Sequence, residues 1–300
     1  TQDIDKAIYY FSLAAKQNHL EAQYKLGCIY ALHPHINQNI QKAIYYFSLA
    51  SDQNYSKAQY ILGNIYFTDE YKVQNIEKAI HYFTLAANQN NEDALYILGD
   101  IYYSGLYVQK DIKKAIQYFL SAAKLNHREA KFYLGNIYYS GLYVPKDIDQ
   151  GIYYYSLASE QNHPIAQYNL GCIYFKVKKD IKKGFYYFSL AADHGLAEAQ
   201  FNIGTFYYNG QYITKDINKA IHYFSLAARQ GFAEANFILG IIYLSGYYVA
   251  RNTNNAIYYF SLASNKNHAN AQFILGSIYY LGIYLSKNVN RGQNYLILSS

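Results

Sequence analysis

The sequence predicts an all-α protein: an α-solenoid of eight helix-pair repeats of about 36 residues, wound into a right-handed superhelix. Three features recur at this period: a Leu-Gly-x-Ile-Tyr motif, a slot filled by Asp or Asn, and a slot filled by Asn or Gly. A fixed period of about 20 to 50 residues is typical of stacked supersecondary units. The steps between motif glycines are 36, 36, 36, 36, 33, 36 and 36 residues, and the glycines are Gly27, Gly63, Gly99, Gly135, Gly171, Gly204, Gly240 and Gly276.

The motif lies in the first helix of each repeat. In residues 128–140 the apolar residues Ala130, Leu134, Ile137 and Tyr138 recur at helical spacing, so they form one buried stripe. Gly135 stands in the middle of this helix, where glycine costs about 1 kcal/mol relative to alanine. Because this cost recurs in all eight repeats, we expect a neighbouring helix to approach each motif glycine too closely for a side chain.

The second helix of each repeat has a start signal and a stop signal. The start is an Asp or Asn that can accept hydrogen bonds from the free N–H groups of the first turn, at Asp3, Asn39, Asn75, Asp111, Asp147, Asp180, Asp216, Asn252 and Asn288. The helix itself, KAIYYFSLAA, is expected to bury Ala43, Ile44, Phe47 and Ala50. The stop is a residue that tolerates the left-handed conformation, at Asn18, Asn54, Asn90, Asn126, Asn162, Gly195, Gly231 and Asn267. Nine start slots and eight motifs predict about 17 helices, nine second helices and eight first helices.

The composition excludes disorder and gives little sign of a charged ligand. Hydrophobic residues make up 52% of the chain and charged residues 15%, which is enough for a core. The 40 tyrosines recur largely at fixed repeat positions, so most of them are expected to be structural. The net charge is only +6 and the basic residues do not form one long stripe, so nucleic-acid binding is not expected. Repeat five lacks three loop residues and gathers a lysine run that is either solvated or an anion contact: Lys176, Lys178, Lys179, Lys182 and Lys183.

Cysteine use and hydropathy predict a cytoplasmic protein without a membrane span. Cys28 and Cys172 occupy the same motif slot four repeats apart, which separates them by tens of ångströms at roughly 8–10 Å per packed helix. A disulfide needs Cα atoms within about 7 Å, so the two cannot pair within one chain and a reducing compartment fits. The sequence contains no run of about 20 apolar residues.

The repeat pattern resembles that of the Sel1-like repeat family, which is related to the tetratricopeptide repeats. Residues 130–162 read AKFYLGNIYYSGLYVPKDIDQGIYYYSLASEQN, and the matching residues are Ala130, Leu134, Gly135, Tyr138, Gly141, Val144 and Asp147. The resemblance covers the whole chain in eight copies, except that the second loop glycine is replaced by Tyr107, Tyr143, Tyr212 and Tyr248. It implies an α-solenoid adaptor of the kind that serves as a scaffold in signalling and protein quality control. In some microbial eukaryotes such arrays are attached to protein kinase domains.

The sequence holds no set of residues typical of catalysis or metal binding. The one close histidine pair, His33 and His35, lacks nearby cysteine or carboxylate ligands. Phosphate-binding glycine loops, nucleophile elbows and the kinase motifs are absent from these 300 residues. We therefore expect no enzymatic activity, no cofactor and no metal.

Two slots of the first helix vary while the rest of the motif is fixed, and fixed slots build the stack. The variable slots lie two residues before and one residue after the motif glycine, which makes them neighbours on the helix at roughly 100° per residue. By analogy with tetratricopeptide arrays, the first helices are expected to line the concave surface. The candidate partner-binding residues in these slots are Lys25, Asn64, Asp100, Tyr133, Asn136, Asn169, Asn202, Thr205 and Ser277. Such side chains either contact a ligand or are solvated, and the bulky ones can instead pack against the next repeat.

The favoured function is a scaffold that binds a peptide or protein on the concave face. The alternative is a regulatory or substrate-recruiting segment of a larger signalling enzyme such as a protein kinase, and a weaker third reading is an anionic-surface binder that acts through the lysine run. An unpartnered second helix at each end exposes apolar residues such as Phe11 and Leu296. We therefore expect residues 1–300 to be one array cut from a longer one, able to self-associate through its ends.

Overall fold

The computed structural model describes residues 2–32, 39–282 and 288–299, which contain seventeen α-helices, one π-helical turn and no strand. The predicted all-α repeat fold is confirmed, with eight first helices that carry the motif and nine second helices. The first helices are α2 (Leu20–Leu32), α4 (Ser56–Phe67), α6 (Glu92–Ser104), α8 (Arg128–Ser140), α10 (Pro164–Cys172), α12 (Ala197–Asn209), α14 (Ala233–Ser245) and α16 (Ala269–Leu281). The second helices are α1 (Gln2–Lys16), α3 (Ile40–Asp52), α5 (Ile76–Ala87), α7 (Ile112–Lys124), α9 (Ile148–Ser159), α11 (Ile181–Asp193), α13 (Ile217–Arg229), α15 (Thr253–Ser264) and α17 (Val289–Ser299).

The chain forms two compact units, residues 1–154 and residues 155–300. In each unit a first helix packs most closely against the second helix that follows it, as α6 does on α7 and α12 on α13. The core of each pair consists of the apolar residues that the sequence places on the two stripes. In α8, for example, Ala130, Leu134 and Ile137 are fully buried.

The motif glycines lie beneath an aromatic ring of the second helix. A Cβ atom added to Gly99 would stand 2.6 Å from the ring of Phe119, much closer than two carbon atoms can approach. The same ring contact, at 2.5–2.7 Å, occurs at Gly27, Gly63, Gly171, Gly204 and Gly240, with a leucine in place of phenylalanine at Gly276. The glycine therefore allows the phenylalanine to rest on the backbone of the first helix, and this contact sets the spacing of the pair.

Parallel tyrosine pairs lie beside the glycine contact in every repeat. In the third repeat Tyr102 stacks on Tyr118 with ring centroids 6.0 Å apart and planes at 10°. The Nζ atom of Lys114 lies 4.0 Å from the centroid of the Tyr102 ring and donates a hydrogen bond to its hydroxyl. Equivalent stacks are Tyr30–Tyr46, Tyr66–Tyr82, Tyr138–Tyr154, Tyr174–Tyr187, Tyr207–Tyr223, Tyr243–Tyr259 and Tyr279–Tyr295. Much of the tyrosine content is therefore structural.

The predicted helix stops are confirmed, and the predicted starts are confirmed with one exception. All eight Asn or Gly stop residues have positive φ, between 58° and 85°. Eight of the Asp or Asn start residues accept a hydrogen bond from the backbone N–H three residues on, as Asp111 does from Lys114 at 2.9 Å. The prediction for Asp3 was wrong, because α1 already begins at Gln2 and Asp3 lies within the helix.

Five of the eight first helices start with a side-chain cap that sequence analysis did not identify. The residue after the left-handed stop accepts a hydrogen bond from the N–H three residues later, through Oδ1 in Asn91 and through Nδ1 in His19, His127, His163 and His268. Histidine is an uncommon N-cap, since only its unprotonated Nδ1 can accept. A cap of this kind requires that the accepting Nδ1 carry no proton.

The tyrosine that replaces the second loop glycine packs on the preceding repeat. Tyr143 stands edge-on to Tyr103 at 5.9 Å, and its hydroxyl accepts a hydrogen bond from Lys110 at 2.7 Å. Tyr248 repeats the arrangement with Tyr208 at 5.7 Å and Lys215 at 2.8 Å. The substitution thus adds a contact between neighbouring repeats.

Buried amides add a second link between neighbouring repeats. The side chain of Gln59 is 2% exposed; it donates to the carbonyl of Ser51 in the preceding repeat and accepts a 2.6 Å hydrogen bond from Gln89 at the end of its own repeat. Gln23 with Gln53, and Gln200 with Gln230, are arranged in the same way. Each amide satisfies a carbonyl at the end of a second helix, so these polar groups are buried without loss of a hydrogen bond.

Replacing a motif glycine with alanine should change the stability of the protein in opposite directions with and without the ring that faces the glycine. Gly99→Ala should destabilise the protein, because overpacking against Phe119 costs about 1–3 kcal/mol and outweighs the helix-propensity gain of about 1 kcal/mol. In a Phe119→Ala background the same Gly99→Ala change should stabilise the protein. Urea unfolding of the four proteins measures both effects, and a Gly99→Ala effect of the same sign in both backgrounds would contradict the packing explanation.

Acid should weaken the histidine cap of α8. Burial lowers the pKa of His127 and outweighs the nearby Asp93, whose Oδ1 lies 3.5 Å from Nε2. Because the unfolded state binds the proton more readily, stability should be complete above the ordinary histidine pKa of about 6.5 and should fall as the pH drops below it. The melting temperature of His127→Asn, which keeps a capping oxygen, should depend less on pH between about 7 and 5. The converse variant Asn91→His should depend on pH more steeply than wild type, and parallel profiles for all three proteins would refute this role.

Candidate functional site

The candidate site is a niche of about 410 Å³ between the first helices α10 and α12, within residues 155–300. Its floor is aromatic: Tyr168, Phe175, Phe188, Phe206 and Tyr212. Its rim is polar and is formed by Cys172, Lys176, Asn202, Thr205, Asn209 and Gln211. The ring of Phe175 stands edge-on to Phe206 at 5.4 Å and to Tyr212 at 5.6 Å, so the floor is a packed aromatic cluster.

Asn202 is a small residue in a slot that holds tyrosine in another repeat. The slot two residues before the motif glycine points at the phenylalanine that covers the glycine of the preceding repeat. In α8 this slot holds Tyr133, whose ring stacks on Phe119 at 5.2 Å and lies edge-on to Tyr103 at 5.6 Å. Asn202 is the equivalent residue opposite Phe188, and it leaves that space empty.

A smaller cavity supports this relation between side-chain size and open space. It has a volume of about 200 Å³ and lies between α2 and α4, where the equivalent slot holds Ile61. Phe47 and Asn64 line it, as Phe188 and Thr205 line the niche. In these three repeats the residue in the slot differs, and the space beside the buried phenylalanine differs with it.

The shortened loop of repeat five forms one wall of the niche. After α10 the chain continues as a π-helical turn, Ile173–Val177, in which the N–H of Lys178 donates to the carbonyl of Ile173 at 3.0 Å. The Asp180 N–H then donates to the Tyr174 carbonyl at 2.8 Å, which closes in six residues a connection that takes nine in the other repeats. This path places Phe175 in the floor and Lys176 on the rim. Single π-helical turns are frequent at functional sites.

The groups in the niche are suited to binding and not to nucleophilic attack. Cys172 is a free, half-buried thiol, and burial raises its pKa, although the neighbouring Tyr168 partly opposes the shift. Burial also raises the pKa of Tyr168, whose hydroxyl hydrogen-bonds with Cys172 and Asn202. Both groups therefore stay protonated at neutral pH. Lys176 is the one charged residue among those that line the niche.

The structure separates the nine predicted partner-binding residues into several environments. Asn202 and Thr205 lie together in the niche, and Asn64 lines the smaller cavity. Tyr133 packs between repeats and hydrogen-bonds with Asp100, so both residues of that pair are engaged within the protein. The remaining four do not converge: exposed Lys25 lies 3.9 Å from Glu21, Ser277 donates to the carbonyl of Phe273, and Asn136 and Asn169 are half-buried.

Sequence analysis did not identify the floor of the niche. Tyr168, Phe175 and Phe206 occupy positions that are aromatic in other repeats too, and a repeated aromatic residue indicates core. The one available signal was the three-residue deletion, which sequence analysis connected with the lysine run and not with a cavity.

Neither a metal site nor a membrane span is found in the part of the chain that the structure describes. No three His, Cys, Asp or Glu side chains there are grouped so that they could hold a metal ion. None of its helices combines the length and apolar character needed to cross a membrane. His33 and His35 lie outside the described residues.

Two solved structures share this fold along nearly the whole chain. The crystal structure of c5321, a protective antigen present in uropathogenic Escherichia coli strains, aligns with a TM-score of 0.89 and 24% identity over 97% of this chain and 63% of that chain. A Sel1 repeat protein from Oxalobacter formigenes aligns with a TM-score of 0.76 and 23% identity over 97% of this chain and 85% of that one. The chain thus spans less than two thirds of the first of these proteins, and at such identities the likeness shows the fold alone. No curated protein sequence matches the chain.

A sequence model of the Sel1 repeat matches the chain from end to end. The matched segments are residues 1–19, 20–55, 56–91, 92–127, 128–163, 164–196, 197–232, 233–268 and 269–300. The boundaries between them fall at the starts of the first helices, so each complete segment is one first helix and the second helix that follows it. Proteins built from such repeats are generally protein-interaction scaffolds and are typically not enzymes. On this match and this fold, the chain belongs to the Sel1 repeat family.

Proposed function

We propose that residues 155–300 bind a peptide or protein segment on the face of the first helices, and that the niche between α10 and α12 takes a bulky apolar side chain of that ligand. The observation that carries the proposal is the exchange of Tyr133 for Asn202 at equivalent positions. Where the protein supplies its own ring, the space beside the buried phenylalanine is occupied; where it supplies Asn202, an aromatic-lined space is left.

The size and lining of the niche suit an anchoring side chain. A volume of about 410 Å³ falls within the range of about 300–1,000 Å³ that is typical of ligand pockets. Protein interfaces obtain most of their affinity from a few aromatic or aliphatic anchors in desolvated pockets. Rings such as Phe188 and Phe206 offer such an anchor the edge-to-face contacts that tyrosine makes elsewhere in this chain.

The polar rim suits the backbone of an extended segment. Asn202, Asn209 and Gln211 carry amides that can both donate and accept hydrogen bonds. The hydroxyl of Thr205 donates to the Phe201 carbonyl at 2.9 Å, which leaves it an acceptor for a ligand N–H. A binding role agrees with the protonated thiol of Cys172 and with a rim that holds no carboxylate.

Filling the niche should abolish binding without loss of stability. Peptides selected from a displayed random library on the wild-type protein should share a bulky apolar residue, and Asn202→Tyr should weaken their binding by at least about tenfold, the effect of losing one moderate anchor. The melting temperature of Asn202→Tyr should equal or exceed that of wild type, because tyrosine fits the same slot in α8. Fluorescence anisotropy and thermal unfolding measure the two effects.

The same substitution at an exposed site is the control. Asn255 lies in the first turn of α15 with its side chain exposed, so Asn255→Tyr should leave the affinity unchanged. Selected peptides that bind Asn202→Tyr as tightly as wild type would place their site elsewhere on the protein, and a selection without enrichment would contradict a peptide-binding role.

A further inference from the structure

The net charge of the protein lies entirely in the unit that contains the niche. Residues 1–154 contain 14 Lys or Arg and 14 Asp or Glu, whereas residues 155–300 contain 12 Lys or Arg and 6 Asp or Glu. The formal charge of +6 therefore belongs to the second unit. An uneven distribution of this kind is a physical argument about the charge of a partner, not about the fold.

Within this unit the basic residues gather on one edge. We call the basic edge the segments that connect each first helix to its second helix, together with the first turn of that second helix. In the described residues it carries Lys176, Lys178, Lys179, Lys182, Lys183, Lys215, Lys219, Arg251 and Arg291. Its two carboxylates, Asp180 and Asp216, accept hydrogen bonds from backbone N–H groups as helix caps. The other four carboxylates of the unit lie toward the opposite helix ends, at Glu160, Asp193, Glu198 and Glu234.

The niche opens beside the basic edge. Lys176 and Tyr212 belong both to the niche and to the segments that form the edge. Lys179 follows Lys176 by three residues, so their Cα atoms are at most about 11 Å apart. Lys182 follows in the first turn of α11.

For three of these lysines, the described part of the chain provides no partner of opposite charge. No ion pair is found for Lys176, Lys179 or Lys182 among the described residues, although Lys219 lies 3.8 Å from Asp216. Lys183 and Lys215 instead lie over the rings of Tyr174 and Tyr248. The three unpaired charges are therefore available to carboxylates of a ligand.

We propose that the ligand of the niche is an acidic peptide segment, whose apolar side chain enters the niche while flanking carboxylates contact Lys176, Lys179 and Lys182. The inference rests on the proposed function and adds the charge of the partner. A peptide is favoured over a nucleic acid because the unpaired lysines lie next to an aromatic-lined niche of a size that can take one side chain. A nucleic acid would instead use a long cationic track along its phosphates.

Three synthetic pentapeptides with a central tryptophan test the proposal. Their flanking residues are all acidic, all neutral or all basic, and binding is measured by isothermal titration calorimetry at low salt, where screening is least. The acidic peptide should bind wild type about tenfold more tightly than the neutral one, the effect of three exposed charge contacts. The triple variant Lys176→Glu, Lys179→Glu, Lys182→Glu should lose this preference and favour the basic peptide. The variant Asn202→Tyr should bind none of the three.

The outcomes separate this proposal from the function on which it rests. If Asn202→Tyr removes binding but the acidic and neutral peptides bind wild type equally, the niche is a binding site and the inferred charge of its ligand is wrong. If acidic peptides bind wild type and Asn202→Tyr alike, the niche is not the site and both proposals fail. If a single-stranded oligonucleotide of matching charge binds more tightly than the acidic peptide and is unaffected by Asn202→Tyr, the basic edge is a nucleic-acid surface. Absence of binding by the acidic peptide would also refute the proposal.

Discussion

The structure depends on one close contact, that of a phenylalanine ring with the backbone of a glycine on the neighbouring helix. The ring of Phe119 covers Gly99 so closely that even a methyl group would collide with it. Because the contact is made to backbone, it brings the two helices nearer than side-chain packing allows and fixes their rotation about their axes. That rotation places Tyr102 and Tyr118 face to face. It also leaves the slot two residues before the glycine facing the preceding repeat, as Tyr133 faces Phe119.

This geometry separates the residues that hold the array together from those that distinguish one repeat from another. The slot two residues before the glycine looks onto the phenylalanine of the preceding repeat, so its occupant changes the space between repeats without disturbing the pair that contains it. Tyr133 fills that space, Ile61 leaves a small cavity, and Asn202 leaves a niche. The space between neighbouring repeats thus differs from place to place in a regular array, while the helix pairs stay the same.

Features that depend on local backbone chemistry could be predicted from the sequence, and features that depend on contacts between repeats could not. Only Asn and Gly fill the slots with positive φ, so the helix stops were visible in the residue types, as were the Asp and Asn starts. The histidine caps were missed because histidine is rarely used this way, although Asn91 at the same position was a hint. Of the variable slots, Asn202 and Thr205 do line the niche. The sequence could not decide whether Tyr133 contacts a partner or packs on a neighbouring repeat. The residue type is the same for an exposed tyrosine and a packed one.

One hydrogen bond closes each helix pair, and it makes the geometry of the pair independent of the length of the connecting loop. It runs from the N–H that starts the second helix to the carbonyl of the motif tyrosine, and it forms across six residues in repeat five as it does across nine in other repeats. The connection can therefore gain or lose residues while the pair beneath it stays the same. An array of this design can be varied one connection at a time, each variant altering the surface of a single repeat. That is the property a protein engineer seeks in a recognition scaffold, and it makes this edge of the molecule the natural place to graft new binding loops.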